Sequence, residues 1–327
     1  MPAPASLPKV TVVVPTYNRA YIIGEALASA LQQTYPNFEI LVVDDGSSDN
    51  TREIVEGLRS DKIRYFRHEK NRGCSAAYDT GIAAAQGQMV AFLDSDDVWK
   101  PDFLEKLVGF LQKHPEADVV FCDTEITGDS MYVPSLMALM KSFSRVLQEQ
   151  PPADEYIVTG RQMYVCLLEE VPIKPTAVLI RREMFDKAGT FDEAWPSGTD
   201  WDLFLRFSRC ACFGYIPLAL AIQRRTPDAT HQKFREQDKL FLLGLFLKEK
   251  SRLQNDPEAL LAVNRGISGH CSNLAWDYLH SGQRKKSVAV YVQGFKETGE
   301  PMMLLRAASA LMPIGVRNLV KGAARRN

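Results

Sequence analysis

Three groups of aspartates stand where apolar runs of the chain end. Asp44 and Asp45 follow FEILVV, Asp94, Asp96 and Asp97 close FLDSDD, and Asp200 lies in GTDWDLFLR at the start of an amphipathic stretch. Taken singly, each fits a helix cap or a solvated turn, which aspartate favours, and Asp49 is read as such a cap. Together they point to chemistry. Carboxylates crowded at the end of a buried strand repel one another unless a cation neutralises them. Asp94 and Asp96, separated by Ser95, are spaced to share one divalent ion. Oxygen ligands suit Mg2+ or Mn2+, and Mg2+ sites use one or two carboxylates with substrate phosphates completing the shell. The chain has no G-x-x-x-x-G-K-[ST] loop and no G-x-G-x-x-G after its first apolar run. A metal must then balance much of the phosphate charge, which fits a nucleotide diphosphate as leaving group.

These groups need a scaffold, and the first part of the chain supplies one. Lys9–Pro15, Phe38–Val43, Ile63–Arg67, Gln88–Leu93 and Ala117–Cys122 read as strands. Between them, the stretch from Ile22 to Leu31, then Thr51–Arg59, Ser75–Gln86 and Pro101–Lys113 have helical patterns. The alternation predicts an α/β fold, a mostly parallel sheet with helices on both faces. Ligands of such sheets bind beyond the carboxyl ends of the strands, where the aspartates fall. Further on, Met131–Arg145 reads as helix, Gln150–Ala153 as a turn, Thr176–Arg181 as strand, Glu183–Ala188 and Asp200–Ser208 as helices, and Tyr215–Ile222 as strand. Past Arg225 only helices follow: Gln232–Arg252, Glu258–Ser281 and Lys285–Thr298, the last two joined at Gly282. The expected division is 1–225, carrying donor and catalytic groups, and 226–327, a helical extension for acceptor, oligomer or membrane-surface contacts.

Composition narrows the class. The 327 residues carry 39 Lys and Arg against 40 Asp and Glu, without the basic excess of a nucleic-acid binder. No apolar run reaches the ~20 residues that span a bilayer. The opening MPAPASLPKV lacks an apolar leader core, so a cytoplasmic protein is expected. Six scattered cysteines without C-x-x-C spacing read as reduced, mostly buried thiols.

Four segments in order, VTVVVPTYNR, VVDDGSSDNT, NRGCSAAYDTGIAAAQGQMVAFLDSDDVWKPD and TAVLIRREMFDKAGTFDEAWPSGTDWDLFLR, resemble the inverting GT-A glycosyltransferases of family 2 over residues 8–225. The resemblance implies a metal-dependent transferase. It would move a sugar from a nucleotide-diphosphate sugar, a UDP-sugar by family habit, to a saccharide or lipid-linked acceptor in polysaccharide or cell-envelope glycan synthesis. Pro15, Thr16, Tyr17 and Arg19 would border the nucleotide, with Tyr17 stacking on the base. Asp45, beside Asp44, would accept the uracil N3–H, as an acceptor-only carboxylate can. Asp96 would be the direct metal ligand, and Asp94, its partner in the D-x-D motif, would also face the donor ribose or sugar. Asn71, Gly73, Ser95, Trp99 and Arg224 complete the expected donor contacts. Asp200 would be the catalytic base.

The chain departs from the family at three places. Tyr78 and Asp79 stand where members commonly carry Arg and Asn, and Thr199 replaces a Glu beside the base. These departures leave a second reading, a catalytically silent GT-A domain serving as a binding or scaffold protein. Trp99 and Trp195 flank the two main clusters, where an indole carries a sugar face or packs in the core. The segment 301–327 is apolar and basic without an acidic residue. It reads either as a peripheral membrane helix at the inner face of the cell membrane or as a docked terminal helix. Oligomer formation stays open.

Overall fold

The computed structural model describes residues 7–128, 131–194, 198–226 and 236–311. The chain divides into two compact units, Met1–Lys233 and Phe234–Asn327.

Unit 1 is built on a ten-stranded sheet. Its first strands are β1 (Val10–Thr16), β2 (Phe38–Asp44), β3 (Ile63–Arg67) and β4 (Met89–Phe92). These pair in parallel in the order β3-β2-β1-β4. The helices between them are α1 (Ile23–Leu31), α2 (Thr51–Gly57) and α3 (Cys74–Ala84). A two-residue strand β5 (Val98–Trp99) leads into α4 (Phe103–Lys113), and β6 (Val119–Gly128) follows. Val10, Val12 and Val14 face a core shared with Ile23, Ala26 and Leu27 of α1 and Phe103, Leu104 and Leu107 of α4. On the other face, Val13 meets α3 at Gly81, where a Cβ would fall 2.2 Å from Val13 Cγ1. Helices thus cover both faces, and β1, β2 and β4 are buried along their whole length and mostly apolar, as a sheet covered on both sides requires; buried Thr11 donates its hydroxyl to Glu39 at 2.8 Å.

The remainder extends this sheet. In order come β7 (Met131–Val133), α5 (Lys141–Gln148), β8 (Tyr156–Val158), α6 (Gly160–Leu167), β9 (Val178–Arg181), α7 (Glu183–Ala188), α8 (Thr199–Phe207) and β10 (Phe213–Arg225). β9 lies antiparallel between β4 and β6, so β6, and β10 parallel to it, run in the same direction as β4. The expected helix over Met131–Arg145 is corrected. Its start pairs with β6 as an edge strand, a 3-10 turn covers Met137–Leu139, and the helix begins at Lys141. Edge pairing overrode a weak helical period. Sequence reading also missed β5, β8 and α6. β10 carries a bulge: from Ile216 to Ala221 it advances five residues while β6 advances two, from Cys122 to Thr124.

Unit 2 contains α9 (Glu236–Arg252), α10 (Pro257–His280), α11 (Arg284–Thr298) and α12 (Pro301–Leu311). Gly282, at φ 78°, turns α10 into α11, a backbone conformation that favours glycine. Ala275, Tyr291, Met303 and Ala307 form a core of this unit. Among the described residues no helix is long and apolar enough to cross a membrane. All six cysteines are free. Cys122, Cys166 and Cys271 are buried, but Cys74 and Cys210 are exposed, so the thiols are less buried than expected.

Candidate functional site

The parallel register sets the chemistry on one edge. Thr16 pairs with Asp44, and Val13 with Phe92, so the segments after β1, β2 and β4 leave the sheet together. β10 runs the same way and brings Arg224 and Arg225 to that edge. Pro15 is buried in β1, and Thr16 keeps a buried hydroxyl without a partner among the described residues. Tyr17 is 46% exposed, a ring free to carry a base. The loop behind it is knitted to the next one. Asn18 N–H donates to Ser47 Oγ at 2.8 Å, and Asn18 Oδ1 accepts from Ser48 N–H at 2.8 Å. Asp49 caps Thr51 N–H at 3.1 Å and also accepts from Ala20 N–H at 3.0 Å, so it does more than end a helix.

The two aspartates after β2 have different duties. Asp44 accepts from Ser47 N–H at 2.7 Å and from the Tyr65 hydroxyl, which uses it to shape its own turn. Asp45 Oδ1 meets Arg72 N–H at 2.9 Å and His68 Nδ1 at 2.7 Å, while Oδ2 accepts, among the described residues, Gly73 N–H alone at 2.7 Å. Asp45 therefore clamps the 71–73 loop and leaves one lone-pair direction on Oδ2 for a further N–H. Asn71, in that loop, is exposed.

The D-x-D turn is tight, closed by Asp97 N–H donating to the Asp94 carbonyl at 2.9 Å around buried Ser95. Tyr78 donates its hydroxyl to Asp94 and stacks on Phe191 with ring centroids 4.6 Å apart. Asp96 Oδ2 lies 3.6 Å from Arg19 Nη2 and accepts from Thr226 Oγ1 at 3.3 Å. Asp97 Oδ1 takes Arg224 N–H at 2.9 Å, but its Oδ2 is buried without a partner among the described residues. Burial, followed by the charge of Asp96, pushes the Asp94 carboxyl up to about 7. Burial, with Asp94 and Asp96 beside it, raises Asp97 as well. Crowded carboxylates with an orphaned oxygen are what a hard dication relieves. Among the described residues no three His, Cys, Asp or Glu side chains converge to hold a metal unaided.

Asp200 sits in the first turn of α8, after Gly198 at φ 69°. Its carboxylate has no hydrogen-bond or ion-pair partner among the described residues. The helix beneath it is pinned. Trp201 Nε1 donates to the Leu167 carbonyl at 2.7 Å, and Arg206 reaches Asp202 at 2.9 Å and the Thr190 carbonyl at 2.6 Å. Asp79 holds the same loop through Phe191 N–H at 3.0 Å. The charge of Asp200 acts on Asp94 and Tyr78, which brings the third aspartate to the D-x-D turn.

Lys174 was missed by sequence reading. Burial lowers its ammonium, while Asp200 opposes that shift and Arg225 and Asp97 also act on it. It precedes the 3-10 turn Pro175–Ala177 that enters β9, and its one sequence signal is a lone charge in VPIKPTAVLI. Trp99 is corrected. Its indole is 4% exposed, stacks on Phe103 at 4.2 Å, and donates to the Thr176 carbonyl at 2.6 Å, so it is core. Trp195 lies outside the described residues.

The family model for glycosyl transferase family 2 matches residues 11–187, over half of the chain. The chain belongs to glycosyl transferase family 2. Among curated relatives it is 34% identical, over 42% of its length and 55% of theirs, to the Escherichia coli UDP-Glc:alpha-D-GlcNAc-diphosphoundecaprenol beta-1,3-glucosyltransferase. The chain spans less than two thirds of the length of the curated relatives it matches. Its fold matches that of S. aureus TarS 1–349 solved with UDP-GlcNAc, at TM-score 0.69 and 21% identity, over 92% of this chain and 87% of that one. It also matches the mannosyltransferase PcManGT of Pyrobaculum calidifontis, solved with GDP-Man and Mn2+, at TM-score 0.57 and 20% identity, over 94% and 88%. For this family 2 chain the architecture is GT-A with a helical C-terminal region.

Proposed function

We propose that unit 1 moves a hexosyl group from a nucleotide-diphosphate sugar, a UDP-sugar by the Asp45 contact, to a hydroxyl of a saccharide or lipid-linked acceptor. The observation that carries this reading is one sheet edge holding the Asp94–Asp97 turn, the unpartnered Asp200 carboxylate and the Lys174 ammonium. Asp200 takes the acceptor hydroxyl proton while that oxygen bonds to the anomeric carbon. The bond from that carbon to the diphosphate breaks on the opposite face, so configuration inverts. Arg19, Arg224 and Lys174 lend positive charge where the leaving group becomes more negative. Asp96 and Asp94 would hold Mn2+ or Mg2+, which would supply Lewis-acid stabilisation of that phosphate. Tyr17 stacks on the base, and Asp45 directs the 71–73 loop toward it.

Relatives support the chemistry in kind: one is named for a UDP-glucose donor and a diphosphoundecaprenol-linked acceptor, and one neighbour is solved with Mn2+. We propose the same setting for this chain: a lipid-linked acceptor would be met at the inner face of the cell membrane, in cell-envelope glycan synthesis. Exposed Leu304, Leu305 and Leu311 of α12 suit a peripheral contact there. The remainder of 301–327, from 312 onward, lies outside the described residues.

Calorimetry with UDP, dTDP, GDP and CDP, each with Mn2+ and then with EDTA, tests the reading. One diphosphate binding only with metal is expected. If none binds in either condition, the silent scaffold takes its place.

A further inference from the structure

Unit 2 has a cavity of about 340 Å3 between α9 and α10, lined by Lys239, Leu242, His270, Asn273, Trp276 and Asp277. The spacing explains the lining. Lys239 and Leu242 are one turn apart on α9, and 270, 273 and 276–277 form one stripe of α10. The size falls in the range of small-ligand sites. Trp276 is 57% exposed, unusual for so large an apolar ring. It is also held in place: the His280 imidazole stacks on it at 3.8 Å, and His280 Nδ1 is fixed 2.8 Å from the Trp276 carbonyl. Beside this platform the charges are matched, Lys239 pairing with Asp277. His270 packs on Phe246 at 4.6 Å, and burial, with Lys239 nearby, lowers its value to about 4, so it is neutral at pH 7. Asn273 adds an amide that both donates and accepts.

An anion finds no uncompensated cation in this lining, and a purely apolar ligand would strand the amide and the ion pair. A neutral polyhydroxylated ring satisfies both constraints. Its C–H face covers the indole, and its hydroxyls pair with Asn273, Asp277 and Lys239. We propose that this cavity of unit 2 is a saccharide-binding subsite in which Trp276 is the stacking platform and Asn273 the polar anchor. It is separate from the Asp200 chemistry and stands whether or not unit 1 is active.

The test uses the full chain in EDTA without nucleotide, so the outcome is independent of the donor site. Cellohexaose, chitohexaose and maltohexaose are titrated by calorimetry and tryptophan fluorescence, with inorganic phosphate as the anionic probe. Saturable binding of at least one hexasaccharide is expected. Trp276→Ala should weaken it at least about tenfold, the scale of one lost aromatic contact. Trp276→Phe should restore part of the affinity, and Asn273→Ala should weaken it too. The exposed position of Trp276 lets the variants fold, which their melting temperatures check. The assignment is overturned if no hexasaccharide binds saturably, or if Trp276→Ala binds as wild type does. Phosphate binding that Trp276→Ala abolishes would overturn it as well.

Discussion

At the sheet edge of unit 1, Asp94, Asp96 and Asp97 crowd one turn, Asp97 Oδ2 has no partner, and the Asp200 carboxylate is unpaired among the described residues. In the cavity of unit 2, Lys239 is matched by Asp277, and an indole is what stands exposed. Both are gatherings of polar groups, yet one leaves charged groups incompletely paired and the other pairs them. Unbalanced buried charge lowers stability and is kept where a charged ligand restores the balance. Balanced polar groups beside an aromatic face suit a neutral ligand held by contact area. The difference teaches that the sign and completeness of pairing tell what a cluster of polar groups is built to hold.

The contrast breaks most sharply at Asp200. Asp200→Asn keeps the shape and removes the base, so transfer should fall by about 10²–10⁴ while nucleotide binding persists. Wild-type turnover in that variant would remove Asp200 from the mechanism. Asp96→Ala should weaken metal-dependent nucleotide binding by at least about 10–100-fold, the loss typical even of residues that only support a ligand. Superimposable titrations of variant and wild type would leave unit 1 no more ligand-dependent than unit 2.

The smallest effect is on stability, and its sign differs between the units. Asp94 is raised from its ordinary 3.8 to about 7. The metal-free fold therefore favours its protonated form, and stability present below about 4 is lost as pH rises through about 7. His270 is lowered from 6.5 to about 4, so its share is present above 6.5 and is lost as pH falls through about 4. Hydrogen exchange of metal-free protein across this range should show unit 1 loosening toward high pH and unit 2 toward low pH. Asp94→Asn should flatten the first trend and His270→Leu the second. Matching trends in the two units would refute the contrast.

Much of unit 1 was legible in the sequence because its parallel strands are short, largely apolar or β-branched and aromatic runs set between helical patterns. Ile63–Arg67 and Glu183–Ala188 fall where the pattern places them. That Asp44, Asp45 and the Asp94–Asp97 turn leave the sheet at one edge followed from the parallel direction of β2 and β4, whereas Asp200 comes from α8. Other features depend on partners distant in sequence. Trp99 reads like a sugar platform until Phe103 and the Thr176 carbonyl take up its ring and N–H. Tyr78 reads as a lost arginine, and only the fold turns its hydroxyl onto Asp94. Lys174 gave no periodic signal, since a single charge before a strand has many ordinary explanations. In unit 2 the helices were readable from period, but the pairing of Lys239 with Asp277, and so the character of the cavity, was not.

The bulge in β10 makes length a constraint where composition is not. Pro217 and Leu218 are exposed, so substitutions there disturb little packing. The extra residues nevertheless set where Arg224 arrives beside Asp97. Removing one would slide the strand by a single position and turn Arg224 to the opposite face. This segment should therefore drift freely in residue type among descendants of the chain while its count stays fixed. Deletions, rather than point changes, are the lesions that would uncouple the basic strand end from the acidic turn.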